Sequence, residues 1–117
     1  GGLRMTIGER TMGAATVLEL SGRLVLGDGD EPLKGKVKAL MLQGATHVML
    51  NMTDVTYVDS ATIGCLMDLY RQASAAGGSL KLAGVQKRVE TMLTMTGAHN
   101  FIQLYADEAT ALASFEG

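Results

Sequence analysis

The residues with the clearest chemical potential are Asp59 and Ser60, which stand where a strand-like segment meets a helix-like one. A β-branched and aromatic run over residues 55–58 stops at this pair, and apolar residues at helical spacing follow it. Such a junction places a serine hydroxyl beside the first, unpaired amides of a helix, at the positive end of its dipole. An anion is favourable there, so Ser60 is well placed to carry a phosphate. The competing interpretation is an ordinary helix N-cap, a position that Asp and Ser also prefer.

The residue types and their spacing give little support for catalysis or metal binding. A nucleophilic Ser60 would need an adjacent base, and His47 and His99 both lie far from it in the order of predicted elements. The Asp-Ser junction also lacks the Gly-x-Ser-x-Gly pattern of a nucleophile elbow. Two isolated histidines and the single Cys65 have no metal-ligand spacing. We therefore expect a protein that is not an enzyme and that uses no metal or other cofactor.

Composition narrows the class of protein further. The chain has 117 residues, 47% of them hydrophobic and 19% charged, with a formal net charge of −2. This predicts one globular domain and gives no electrostatic case for nucleic acid or an anionic membrane. We expect residues 1–4 to be a tag remnant or a disordered leader. The lone Cys65 is predicted to be a buried, inert thiol, and the expected location is the cytoplasm.

Strands dominate the first part of the chain, and helices alternate with strands afterwards. The predicted strands cover residues 6–11, 15–20, 23–26, 47–52, 79–85 and 101–105. The predicted helices run from Asp30 to Gly44, from Ser60 to Gly77, over 87–96 and from Asp107 onwards. This alternation favours a mostly parallel sheet with helices packed against it.

Three stretches of the chain resemble the STAS domain, and in particular the stand-alone bacterial anti-sigma factor antagonists. Residues 21–30 resemble the family's third strand and the loop that follows, residues 48–60 the strand and loop that deliver its phosphorylated serine, and residues 77–85 its next strand. The middle match is the most specific, and the resemblance covers nearly all of residues 5–115. It implies a single α/β STAS domain over residues 5–116, with a mixed β-sheet and helices packed on one side.

The resemblance assigns roles residue by residue. Ser60 falls on the family's phosphorylated position, Asp59 on the acidic residue before it, and Gly64 on the second glycine of the motif Asp-Ser-Ser/Ala-Gly-Leu/Ile-Gly. Thr62 replaces the first glycine, which puts a hydroxyl on a turn expected to be exposed. Thr62 is then a second phosphorylation site, a determinant of partner choice, a mark of a member that no longer switches, or a tolerated surface substitution. Asn51 stands where the family often has an aspartate.

The function that the resemblance implies is partner switching. The unphosphorylated antagonist binds an anti-sigma factor, a serine/threonine kinase with the histidine-kinase-type ATPase fold, and so frees a sigma factor for transcription. Phosphorylation of Ser60 releases the complex, and a phosphatase resets it. The expected docking surface is the Ser60 turn, the exposed side of its helix and the loop over 27–30. The partner-binding residues predicted on this basis are Asp59, Ser60, Thr62, Gly64, Asp28, Asp30, Asp68 and Arg71.

A second class of function stays open at this point. STAS-like domains also serve as non-switching scaffolds in signalling complexes or as subunits of lipid-transport assemblies. No direct contact with nucleic acid or membrane is expected in either case, and a weak homodimer is compatible with both.

Overall fold

A computed structural model describes residues 5–116 as one sheet covered by helices; the prediction for residues 1–4 lies outside the described residues. The five strands are β1 (Thr6–Met12), β2 (Ala15–Leu24), β3 (His47–Val58), β4 (Ser79–Ala83) and β5 (Gln103–Tyr105). The four α-helices are α1 (Asp30–Leu42), α2 (Ser60–Ala75), α3 (Lys87–Met95) and α4 (Glu108–Ser114), and a short 3₁₀ turn covers Ala98–Asn100.

The strands follow the chain order β1-β2-β3-β4-β5 across the sheet. β1 pairs with β2 in the antiparallel sense, and every later pair is parallel. The predicted mixed sheet is therefore confirmed. Parallel neighbours require crossover connections, and the helices supply them. As a result, the segments that follow β2, β3 and β4 leave the same edge of the sheet, which brings the start of α1 and the start of α2 together.

Helices cover both faces of the sheet, which refines the expectation that they pack on one side. The larger core joins one face of the sheet to α1, α2 and α3, with Leu18, Leu50 and Leu82 among its fully buried members. On the other face, Ala111 of α4 packs against Met49. The central strand β3 is apolar on both faces, so its second face also needs a cover, and α4 provides it.

Several strand boundaries differ from the sequence-based expectation: β3 continues to Val58 instead of ending at residue 52, and β4 ends at Ala83 instead of residue 85. The differences in β2 and β5 have visible causes. Residues 15–26 were expected to form two strand-like segments, but β2 is one strand whose pairing with β3 shifts register around Ser21 and Gly22. Gly22 has a φ of 102°, and this positive value lets the backbone bulge without ending the strand. β5 begins at Gln103 instead of Phe101, because the preceding 3₁₀ turn uses the amides of Phe101 and Ile102 to bond the Ala98 carbonyl.

The helix ends agree more closely with the sequence. Gly44 and Gly77 have φ values of 82° and 80°, as expected for the residue that stops a helix. Gly78 is required for packing, because a Cβ there would lie 1.9 Å from the Thr46 carbonyl oxygen. Within the described part of the chain, no helix combines the length and the apolarity needed to cross a bilayer.

Candidate functional site

The junction between β3 and α2 is built around the side chain of Asp59. Asp59 is the N-cap of α2, with the extended backbone angles φ −102° and ψ 170°. Its Oδ1 accepts a hydrogen bond of 2.8 Å from the Thr62 amide, and its Oδ2 accepts one of 3.1 Å from the Leu26 amide. The cap therefore satisfies one of the orphan amides of α2 and also ties the helix to the segment that follows β2.

Thr62 completes a capping box with Asp59. The Thr62 Oγ1 accepts a bond of 3.2 Å from the Asp59 amide and donates one of 2.9 Å to the Leu24 carbonyl oxygen. The side chain is only 1% exposed. The expectation that Thr62 presents its hydroxyl on an exposed turn is therefore wrong, because that hydroxyl points inward to join α2 to β2. The same burial gives no support to Thr62 as a second phosphorylation site or a direct partner contact.

Ser60 is left free by this arrangement. It is the first residue of α2 and is exposed, and within residues 5–116 its hydroxyl has no hydrogen-bond partner. An ordinary N-cap serine would bond an amide of the first turn, and Asp59 does this instead. The competing interpretation of the Asp59-Ser60 pair as an ordinary cap is therefore correct for Asp59 and wrong for the side chain of Ser60. The hydroxyl stands at the positive end of a 16-residue helix, where a phosphate is electrostatically favourable.

The carboxylate of Asp59 is held in its charged form. Partial burial on its own would raise the pKa of Asp59, but the hydrogen bonds from the Thr62 amide, the Leu26 amide and the Thr62 hydroxyl outweigh it and lower that pKa. Asp59 is thus ionised at neutral pH, and both of its carboxylate oxygens accept hydrogen bonds from backbone amides of the domain. It was predicted to bind a partner, and its contacts give it the role of anchoring the Ser60 turn.

Gly64 lies one helical turn after Ser60 and leaves the surface bare. A Cβ built at Gly64 has nothing within 4 Å, so space inside the domain does not require a glycine there. Ser60 and Gly64 line an open depression of about 340 Å³ together with Met67, Arg71 and Phe101. The four residues of α2 are spaced by four, three and four positions and therefore form one stripe along the helix.

The loop between β2 and α1 lies beside this junction, as expected. The bond from the Leu26 amide to Asp59 fixes its start, and Leu26 itself is 65% exposed. Asp30 was predicted to contact a partner, and its burial gives that prediction no support. It is 3% exposed, and its Oδ1 accepts a bond of 2.8 Å from the Gly27 amide that closes the loop. Asp28 is half-buried in the same loop.

Asp68 and Arg71 lie on the exposed side of α2, as predicted. The Arg71 Nη1 donates to the Asp68 Oδ1 at 2.8 Å, and both side chains are largely exposed. Exposed pairs of this kind contribute little to stability, so both groups are available to a partner at little cost to the fold. Of the eight predicted partner-binding residues, the structure leaves Ser60, Gly64, Asp68 and Arg71 exposed along one helix.

Phe101 is a member of the site that the sequence-based interpretation missed. It was expected to be the first residue of the last strand, whereas it lies before β5, is 58% exposed and lines the depression beside Ser60. The signal available was the run Gly97-Ala98-His99-Asn100, whose composition is typical of a turn that places the next residue outside a strand. The same turn brings the segment around His99 nearer to Ser60 than the element order suggested.

Asn51 has a structural explanation on the opposite face of the sheet. Its Nδ2 donates a bond of 2.8 Å to the Glu108 Oε2 at the start of α4. Arg10 donates to both oxygens of the same carboxylate, at 2.8 and 2.9 Å. An aspartate at position 51 would face Glu108 with a second negative charge. The amide therefore fits this chain because it supplies a donor that holds α4 on the sheet.

Metal binding and reactive-thiol chemistry gain no support from the geometry. Residues 5–116 contain no group of three or more His, Cys, Asp or Glu side chains placed to hold an ion. Cys65 is buried, as predicted, at 7% exposure. Desolvation is the main reason that its pKa is raised, so the thiol stays protonated and unreactive at neutral pH.

Comparison with known proteins gives one consistent result. The model of the STAS domain matches residues 9–111. The Anti-sigma F factor antagonist of Paenibacillus polymyxa is 24% identical over 100 residues, which are 86% of this chain and 86% of that protein.

Solved structures of this fold agree over almost the whole length. An anti-sigma factor antagonist from Mycobacterium paratuberculosis superimposes with a TM-score of 0.86 at 15% identity, over 97% of this chain and 95% of that one. The phosphorylated form of the Bacillus cell fate determinant SpoIIAA gives a TM-score of 0.72 at 20% identity, over 93% of this chain and 98% of that one. At these identities the superpositions establish the shared fold.

Proposed function

The chain belongs to the STAS domain family, and we propose that it is an anti-sigma factor antagonist that Ser60 phosphorylation switches off. In its unphosphorylated form it binds an anti-sigma factor, a serine/threonine kinase with the histidine-kinase-type ATPase fold. Binding sequesters that factor and frees a sigma factor for transcription. The kinase then transfers the γ-phosphoryl group of ATP to the Ser60 hydroxyl, and a phosphatase later removes it.

The observation that carries this proposal is the free hydroxyl of Ser60 at the start of α2. Asp59 and Thr62 cap the helix between them, so no structural duty competes with modification of Ser60. The hydroxyl is exposed, and the next turn of the helix is the bare surface of Gly64. A partner backbone can therefore approach the phosphoacceptor closely.

Phosphorylation has opposite consequences for the free domain and for the complex. In the free domain the phosphate lies at the positive end of α2, where the orphan amides of the first turn favour it. In the complex, a surface shaped for a neutral hydroxyl receives about −1.5 to −2 charges that lose their water. An uncompensated buried charge of this kind costs a few kcal/mol, which corresponds to about a hundredfold loss of affinity. The fold survives while the complex does not.

The contacts of the partner are proposed to follow the exposed stripe of α2. Ser60 and Gly64 lie at its N-terminal end. Beside them, Met67 and Phe101 supply an apolar contact. Arg71 and Asp68 end the stripe with opposite charges. Asp59, Thr62 and Asp30 contribute indirectly, because their buried bonds fix the Ser60 turn and the adjoining loop.

A capture experiment tests this function. Wild-type, Ser60→Ala and Ser60→Glu proteins are used as baits in native lysate, and the captured proteins are identified by mass spectrometry. We expect a histidine-kinase-type ATPase with wild-type and Ser60→Ala but not with Ser60→Glu. Addition of ATP and Mg²⁺ to the captured complex should place a phosphate on Ser60 and release the bait. Equal capture by all three baits would instead support the non-switching scaffold.

A further inference from the structure

A depression on the surface forms a groove between α1 and α2, beside the Ser60 turn. It measures about 500 Å³. Its lining consists of Lys34 and Lys38 from α1 and of Cys65, Asp68, Leu69, Arg71 and Gln72 from α2. Cys65 and Leu69 are buried and form an apolar floor. The groove therefore has a hydrophobic base between two charged walls.

The walls of this groove carry three cations and one carboxylate, that of Asp68, so their net charge is positive. Lys34 and Lys38 lie four residues apart on α1, so both side chains extend from the same face of the helix. Lys34 is 3.4 Å from Glu31, and Arg71 is 2.8 Å from Asp68. Within residues 5–116, Lys38 has no ion-pair partner. The chain as a whole carries a net charge of −2, so this local excess of cations is a feature of the groove and not of the surface in general.

We propose that this groove binds an acidic, amphipathic segment of the partner protein. Apolar side chains of the segment cover Cys65 and Leu69, and its carboxylates face Lys34, Lys38 and Arg71. A helix of about four turns spans roughly 20 Å, which matches the length of the 13-residue α1. This inference rests on the proposed function, since it describes a second contact made by the same partner.

The position of the groove links it to the phosphorylation switch. A neighbouring depression is lined by Lys34 from α1 and by Ala61 and Gly64 from the first turns of α2, so the groove opens next to Ser60. Residues 60 and 65 are separated by about 8 Å along the helix axis, which is close to the Debye length at physiological salt. A phosphate on Ser60 would attract Lys34 and repel the carboxylates of a bound segment. Phosphorylation would then weaken both contacts together.

A synthetic peptide tests the groove without the partner. The probe is an 18-residue amphipathic helix of Glu, Leu and Ala, and its control has Lys at every Glu position. Both are titrated into the ¹⁵N-labelled full-length protein while amide chemical shifts are followed. We expect the acidic peptide to shift the amides of Lys34, Lys38, Cys65 and Gln72, and to bind at least tenfold more tightly than the basic peptide.

Two charge reversals localise the binding. Lys38→Glu and Lys87→Glu change the net charge equally, but Lys87 begins α3, away from the groove. Lys38→Glu should weaken binding of the acidic peptide about fivefold or more, whereas Lys87→Glu should leave it within twofold of wild type. Ser60→Glu should weaken it about twofold. Equal effects of the two lysine reversals, or equal binding of the two peptides, would overturn the proposal.

A membrane surface is the other occupant that this charge pattern would suit. Sedimentation with phosphatidylglycerol vesicles examines it, and binding that Lys38→Glu abolishes would overturn the peptide assignment. None of these measurements needs the kinase. Failure of the groove therefore stays distinguishable from failure of the proposed switch, which the Ser60 baits test separately.

Discussion

Asp59 and Thr62 bond each other reciprocally, with the Thr62 amide 2.8 Å from the Asp59 carboxylate and the Asp59 amide 3.2 Å from the Thr62 hydroxyl. This capping box has two consequences for the site. It releases Ser60 from capping, and through Leu24 and Leu26 it joins the helix to the end of β2. The phosphoacceptor proposed here therefore stands on a turn that the rest of the domain holds in place.

Removal of the Thr62 hydroxyl should destabilise the domain. Thr62→Val keeps the β-branched shape but deletes the donor to Leu24 and the acceptor for the Asp59 amide. We expect the free energy of unfolding to fall by about 1–3 kcal/mol in urea denaturation. Thr62→Ser keeps the hydroxyl and loses one buried methyl group, worth about 0.8 kcal/mol. A Thr62→Ser protein that is no more stable than Thr62→Val would contradict the assigned hydrogen bonds.

Substitution of Gly64 should change stability and partner binding in opposite directions. Gly64→Ala places a methyl group in open space and improves helix propensity, so the free energy of unfolding should rise by up to about 1 kcal/mol. The same methyl group obstructs a partner that approaches the bare turn, so affinity for the captured kinase should fall. Thermal melts and binding isotherms measured on one preparation check both the stability and the affinity.

Gly35→Ala is the matched control, because Gly35 lies in α1 and a Cβ there is equally unobstructed. It should stabilise the domain without affecting binding. Unchanged affinity in Gly64→Ala would remove Gly64 from the interface.

Asp59 should make stability depend on pH in the acid range. Its pKa is lowered in the folded state, whereas an unfolded aspartate has a pKa of about 3.9. Its contribution to stability is therefore fully present above that unfolded value and is lost as the pH falls through the folded pKa. Asp59→Asn removes the titrating group. The difference in unfolding free energy between wild type and Asp59→Asn should be largest near pH 7 and should shrink towards pH 3. A difference that does not change with pH would show that the charge of Asp59 is irrelevant to the cap.

Asn51→Asp should weaken the attachment of α4. The new carboxylate would face Glu108, and like charges at this distance raise the pKa of each other and destabilise the fold at neutral pH. We expect a loss of about 1 kcal/mol at pH 7, which disappears below about pH 4 once the carboxyl groups are protonated. Asn51→Ala removes the bond without adding a charge, so its deficit should depend less on pH than the deficit of Asn51→Asp. Denaturation curves of the two variants at pH 7 and pH 4 distinguish these outcomes.

The general fold and the location of the site followed from local sequence patterns. The periodicities of β3 and α2 meet at Asp59-Ser60, and the alternation of helices and strands indicated a mostly parallel sheet. The mixed sheet was implied by the resemblance to the STAS family. The cover on the second face of the sheet could not be predicted from the sequence. That cover is α4, a short helix whose few apolar residues do not indicate which face of the sheet they contact. The sequence also did not predict whether a polar side chain near the site is buried or exposed. Thr62 and Asp30 have residue types typical of an exposed turn, yet both are buried. Thr62 donates a tertiary hydrogen bond to Leu24, and Asp30 accepts a local one from the Gly27 amide.

Phe101 illustrates a different limit. The sequence pattern predicted that Phe101 starts the last strand, whereas the 3₁₀ turn before it places the ring on the surface beside Ser60. Residues that are distant in sequence form this depression, so no local pattern contains it. The α1–α2 groove has the same origin, since its cations come from two helices.

The most direct test of the central claim is the affinity of the captured kinase for two forms of one protein. The antagonist is phosphorylated to completion on Ser60, repurified and compared with the unphosphorylated protein by titration calorimetry at physiological salt. We predict a loss of affinity of about a hundredfold, reversed when a phosphatase removes the phosphate, with the folded domain retained throughout. Equal affinity of the two forms would contradict the switch.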